Sequence, residues 1–163
     1  MTSAEVRLAR FKQGLSAINL WYSAAHTFTL ILDGALPAGA LENAAPYARR
    51  GWCIFEQRLS SLIKSSNCFL RLGALADAED GPAPDWFGVI KTCATRRQPP
   101  MPPDLFEDMM RDGVAREAAA PGTGIRFTSG KDLGEVVIPQ YRRRALLHLE
   151  TRRGWLRTAG IFP

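Results

Sequence analysis

The residues best equipped for chemistry sit together in Arg49-Arg50-Gly51-Trp52-Cys53-Ile54-Phe55-Glu56, which holds a carboxylate, a thiol, two guanidiniums and an indole. At 100° per residue, Arg49, Cys53, Glu56, Ser60 and Lys64 form one row of a helix, within about 80° of one another. Trp52, Phe55, Leu59, Leu62 and Ile63 fall in a neighbouring arc of about 100°, the normal width of a core-facing stripe. Glu56 therefore stands at the edge of an apolar face, one turn after Trp52. Apolar neighbours there would raise its pKa, and Arg49 or Lys64 would lower it. The alternative is a solvated carboxylate in helix ion pairs, the usual state of an exposed helical charge.

Other chemistries find little support. Cys53 has no neighbouring His or thiol to make it a nucleophile. His26 and His148 have no second His or Cys at ligand spacing, which argues against a metal site or a His-based triad. Cys53, Cys68 and Cys93 are too few and too scattered for a disulfide framework, and their odd number suggests reduced thiols in a cytoplasmic setting. Gly130-Lys131 lacks the two glycines at fixed spacing that a phosphate loop needs.

The elements that must position Glu56 are readable from pattern. Residues 3–22 read as a helix opened by a Thr2/Glu5 capping box, with Leu8, Phe11, Leu15, Ile18 and Tyr22 on one face. Residues 27–32, Thr-Phe-Thr-Leu-Ile-Leu, are a short apolar run and the expected central strand. Gly34, Pro37 and Gly39 end it. The connection over residues 33–46 is long for a strand-to-helix loop, and ligands of open α/β sheets bind on such loops. A helix over residues 47–65 follows, then a strand or loop at 68–72 and an acidic connection at 76–84. Asp85 caps a helix whose Trp86, Val89, Ile90 and Cys93 share a face. Residues 96–103 are Pro-rich and extended, a stiff linker or a polyproline recognition segment. Asp104 caps a helix over 105–112 that Gly113 stops. A short strand at 125–127 and a last helix over 133–153 complete the chain, with Pro139 kinking that helix or beginning a new one.

The expected fold is thus a helix-rich α/β domain, a small partial parallel sheet with flanking helices. Its core occupies residues 1–113, followed by a flexible loop at 114–124 and a basic helical segment at 125–163 packed on the core. At 163 residues one domain is the natural reading. No apolar run reaches the ~18 residues a membrane span requires, and the first residues lack a signal-peptide pattern. Of the net charge of +5, the chain from Lys131 onward carries +4, seven basic residues against three acids. Arg142, Arg143 and Arg144 spread around a helix instead of lining one stripe, which disfavours nucleic acid.

Trp52-Cys53 and Glu56, after the strand at 27–32, resemble the segment of Toll/interleukin-1-receptor-like (TIR) domains that supplies the acidic residue of NAD-cleaving members. Arg50-Gly-Trp52…Glu56, with Leu59-Ser60 following, is similar to the fungal heterokaryon-incompatibility domain. A wider set, from Asn19-Leu-Trp-Tyr22 through Pro46-Tyr47 to Phe127-Thr-Ser-Gly-Lys-Asp132 and Tyr141, resembles a protein family of dinoflagellate-type algae, which brings no activity with it and implies that this chain is a C-terminal portion. The TIR resemblance implies an incomplete sandwich and N-glycosidic cleavage of a dinucleotide such as NAD. Glu56 would then be the catalytic anion against an oxocarbenium-like ribose, Arg49 or Arg50 would lie near the pyrophosphate, and Trp52 would be a stacking wall. The competing expectation is a non-catalytic interaction or signalling domain without a cofactor, contacting a protein partner or a second copy of itself.

Overall fold

A computed structural model describes residues 2–34, 45–75 and 84–158. The middle of the loop expected at 33–46, with Pro37 and Gly39, and nearly all of the acidic connection at 76–84 lie outside the described residues.

Helix α1 (Ser3–Tyr22) begins at the capping box read from the sequence: the Glu5 amide donates to Thr2 Oγ1 at 3.3 Å and the Thr2 amide to Glu5 Oε2 at 2.7 Å. On its apolar face Leu8 and Phe11 are exposed, whereas Tyr22 packs against the core; the side chains of Leu15 and Ile18 lie outside the described residues. Strand β1 (Thr29–Ile31) is parallel to β2 (Phe69–Arg71), with Thr29 opposite Phe69 and Ile31 opposite Arg71. Between them in sequence runs α2 (Gly51–Ser61). Helix α3 (Trp86–Cys93) starts at Asp85, whose carboxylate accepts from the Gly88 amide at 2.8 Å. Its exit closes the far edge of β2, where the Thr95 amide donates to Phe69 O and Ala94 bridges Leu70.

Helices α4 (Pro103–Ala119) and α5 (Ile138–Thr158) complete the core. Phe55 and Leu59 from α2, with Leu62 at its C-terminal end, meet Phe106 and Met110 from α4, Val137 from the turn before α5, and Tyr141 and Ala145 from α5. The Phe106 and Tyr141 rings stack with centroids 3.9 Å apart. The Tyr141 hydroxyl donates to Met101 O at 2.9 Å, which fastens the Pro-rich segment across this core. The architecture is the helix-rich α/β fold with a small parallel sheet that the element pattern implies.

Four local expectations are corrected. Strand β1 is not central: among the described residues it pairs with β2 alone. Helix α4 does not stop at Gly113, so the loop expected at 114–124 is helical as far as Ala119. Gly113 is a close-approach glycine, since a Cβ there would lie 2.6 Å from Ile125 Cγ1. Residues 125–127 form no strand; Arg126 makes a single bridge to Arg50, donating to Arg49 O and accepting from the Gly51 amide, both at 2.8 Å. The last helix opens with a π-helical turn, Leu133–Val137, before the α-helix that carries Pro139 in its first turn. Proline lacks the donor and crowds the carbonyl four residues back, and the wider turn relieves both. No described helix is long and apolar enough to cross a membrane.

Candidate functional site

Glu56 occupies the middle of α2 on the side facing the end of α1, half-buried. The Tyr22 hydroxyl donates a hydrogen bond to its carboxylate. Burial pushes the Glu56 carboxyl above the usual range, and the Tyr22 hydrogen bond opposes this in part. Tyr22 itself is pushed up to about 12, first by burial and then by the Glu56 charge. One turn earlier, burial and the same charge raise the Cys53 thiol, while Arg50 pulls it back. Tyr47, on the single 3-10 turn Tyr47–Arg49 that leads into α2, donates to Cys53 O at 3.5 Å, the long end of the range. Its phenol is also raised, by burial and then by Cys53 and Glu56. Tyr22, Tyr47, Arg50, Cys53 and Glu56 therefore form one polar cluster in which the pKa of every acid is raised.

Of the four residues assigned to a site from sequence, this cluster contains Glu56 and Arg50. The Arg50 guanidinium reaches back to Ala45 O, where Nε donates at 2.6 Å, and also hydrogen-bonds Cys53. Arg49 goes to α4: Nε donates to Gly124 O at 3.1 Å and its guanidinium pairs with Glu117 at 3.3 Å. Glu117 is held below the usual carboxylate range, chiefly by the amides of Gly124 and Gly122, each donating at 3.0 Å, and then by Arg49 and Arg126. Trp52 is a wall of the core. Its indole nitrogen donates to Asp132 Oδ2 at 3.0 Å, and the ring meets Phe55 and Phe127 edge-on. Arg49 and Trp52 thus hold α2 to α4 and to the entry of α5.

Two features escaped the sequence reading. Tyr22 carried only the signal of a core-facing residue at the end of α1. Lys64 fell in the same helical row as Glu56 but is only 1% exposed beneath the sheet. Its Nζ donates to Thr29 Oγ1 at 2.8 Å, and that hydroxyl donates onward to Ser60 Oγ at 3.1 Å. Burial lowers the Lys64 pKa, and no described carboxylate forms an ion pair with it. Arg97 donates to Ser61 O and Lys64 O, both at 3.3 Å, and so closes the end of α2.

Chemically, the cluster offers a half-buried carboxyl whose pKa is raised, oriented by a phenol, with one guanidinium nearby. No group of three His, Cys, Asp or Glu side chains among the described residues could hold a metal ion. No protein-family model, curated protein or solved structure matches the chain.

Proposed function

We propose that the chain is an interaction module of the α/β class, and that partners dock on the surface around the edge of β1 that no strand among the described residues pairs. The observation that carries this is an apolar surface beside a strand that, among the described residues, is paired on one side only. Phe28, Leu30 and Leu32 are 46%, 52% and 72% exposed, while Thr29 and Ile31 between them are buried. Trp86 stands edge-on to Phe28 at 5.3 Å, and Phe87 beyond it is 81% exposed. Scattered apolar residues are ordinary on a surface; a contiguous group flanking an open strand edge marks a site of association. Extended peptides selected for binding should share alternating apolar residues and lose affinity for a Leu30→Lys variant. Selection of peptides indifferent to Leu30 would overturn the reading.

A second reading is N-glycosidic cleavage of a dinucleotide at Glu56, favoured by the half-buried carboxylate that Tyr22 orients. An anion facing the ribose stabilises the oxocarbenium-like transition state as nicotinamide departs. Arg50, in the same cluster, would be the guanidinium that meets a pyrophosphate. Because the Glu56 pKa is raised, its anionic fraction grows with pH, and NAD turnover should climb through that pKa and vanish in Glu56→Gln. Turnover unchanged by the substitution removes Glu56 from the reaction.

A further inference from the structure

We infer that the Pro-rich segment between α3 and α4 is a docking motif read through Arg96, Pro99 and Pro102. Its partner is a domain with a shallow groove lined by aromatic rings and closed at one end by carboxylates. The segment leaves α3 along the edge of β2 opposite β1, so this contact is separate from the β1 surface proposed above. It runs Arg96-Arg97-Gln98-Pro99-Pro100-Met101-Pro102-Pro103. A proline fixes its own φ and drives the residue before it to extended backbone, so every residue from Gln98 to Pro102 is restricted by one effect or both. Pro102, at φ −55° and ψ 143°, lies in the polyproline region, and residues 95–102 form neither helix nor strand. A polyproline helix repeats every three residues, which puts Arg96, Pro99 and Pro102 on one edge. All three are exposed.

The fold fastens the segment through other residues. The Arg97 amide donates to Ser66 Oγ at 3.2 Å, and its guanidinium donates to the carbonyls of Ser61 and Lys64. Met101 packs against the core while its carbonyl accepts from Tyr141. The outward edge has no such use. Arg96 forms no ion pair among the described residues, and the carbonyls of Gln98, Pro99 and Pro100 accept no hydrogen bond from them. Pyrrolidine rings spaced in this way fit between aromatic side chains, and a helix already formed loses little entropy on binding. Charge sets the rest of the partner. Arg96 stands one polyproline turn before Pro99, so the groove needs a carboxylate at that end, where a guanidinium pairs in two-pronged fashion. An aromatic groove with an acidic end is the chemistry of an SH3-type domain.

Titrating the whole isotope-labelled chain with an array of purified SH3 domains, followed by nuclear magnetic resonance, tests this. The expected result is saturable binding to domains whose groove ends in carboxylates, with shifts centred on the amides of Arg96, Arg97, Gln98 and Met101. Arg96→Glu should weaken binding about tenfold or more, because a charge-assisted pair becomes a repulsion. Pro99→Ala combined with Pro102→Ala should abolish it, whereas Pro100→Ala, off the edge, should leave the affinity nearly unchanged. Circular dichroism checks that each variant is folded; should the double variant loosen the chain, Arg96→Glu still decides, since the fold makes no use of that side chain. No saturable binding to any domain of the array overturns the proposal. So does an affinity that is indifferent to Arg96→Glu, or one that depends on Pro100 more than on Pro99 and Pro102. Shifts at residues 28–32 in place of the Pro-rich segment would overturn it too, while sustaining the β1 surface as the place of docking.

Discussion

Replacing Lys64 by Met should stabilise the protein at neutral pH. The ammonium lies beneath the sheet, 1% exposed, with the Thr29 hydroxyl as its hydrogen-bond acceptor and no carboxylate in an ion pair with it among the described residues. A buried ion without a counter-charge costs several kcal/mol, whereas its one charged hydrogen bond returns about 1.5–3 kcal/mol. Methionine keeps the volume and the apolar stem, and Thr29 keeps its bond to Ser60. The net expectation is a gain of about 1–2 kcal/mol at pH 7, which is a melting temperature raised by about 2–8 °C for a chain of this length. The pH dependence supplies the sharper check. The folded-state pKa of Lys64 is lowered, so between it and the unfolded value of about 10.4 the unfolded chain binds more protons and wild-type stability rises with pH. The advantage of Lys64→Met must shrink over the same window. Above about pH 10 the buried tyrosines act in the opposite sense: Tyr22, raised to about 12, holds its proton more tightly in the fold, so stability falls there. The raised Cys53 thiol acts in that opposite sense already below pH 10, but it is common to both proteins, so the difference between their denaturant melts from pH 7 to about 9.5 isolates the lysine. A variant less stable than wild type at pH 7, or a difference that stays constant with pH, would refute the reasoning.

Glu56→Gln should also stabilise near neutrality. The raised pKa of Glu56 gives stability that is present below the unfolded carboxylate value and is lost as pH rises through the folded value, a loss the amide abolishes. Thermal melts across that window should show wild type falling and the variant flat; parallel curves would show that the carboxylate is solvated. Gly113→Ala should cost about 1–3 kcal/mol through Ile125, more than offsetting the ~1 kcal/mol that alanine gains in a helix. Gly124→Ala should cost more, because its Cβ would lie 2.9 Å from Glu117 Cα, part of a helix backbone that cannot rotate away; denaturant midpoints in the reverse order would contradict this. Trp52→Phe should lose about 1–2 kcal/mol with the Asp132 hydrogen bond and leave any NAD turnover unchanged, whereas lost turnover at full stability would return the indole to the site.

What was legible in the sequence is what neighbouring residues decide among themselves. The Thr2/Glu5 capping box, the Asp85 cap and the apolar stripe of Phe55, Leu59 and Leu62 all depend on spacings of three or four residues, and all form. Gly113 obeyed the local rule that glycine ends helices until Ile125, twelve residues on, occupied the space a side chain would need. Counting around α2 put Glu56 at the rim of the apolar face, where it lies, but put Lys64 beside it in the same row. What separates the two is the layer each faces: α1 and Tyr22 for Glu56, and the sheet with Thr29 for Lys64. The destinations of Arg49 and Trp52 were beyond local rules too, since Glu117 and Asp132 lie 68 and 80 residues away.

Those same separations govern how the chain can reach its fold. Helix α2 contributes three of the core's largest apolar contacts, yet its partners Phe106, Met110, Val137 and Tyr141 all come from the second half of the sequence. Its tie to Asp132 and its clamp to Glu117 likewise wait for that half. During synthesis at about 5–20 residues per second, the apolar stripe of α2 would stand uncovered for roughly 4 to 17 s before Tyr141 is made. Closing such loops precedes any reward from the contacts they permit, so folding is slow for the chain's size and concerted between its halves. A chain cut after Ala119 would keep β1, α2 and β2 and still lack half of what buries them, so no folded N-terminal fragment is expected to accumulate.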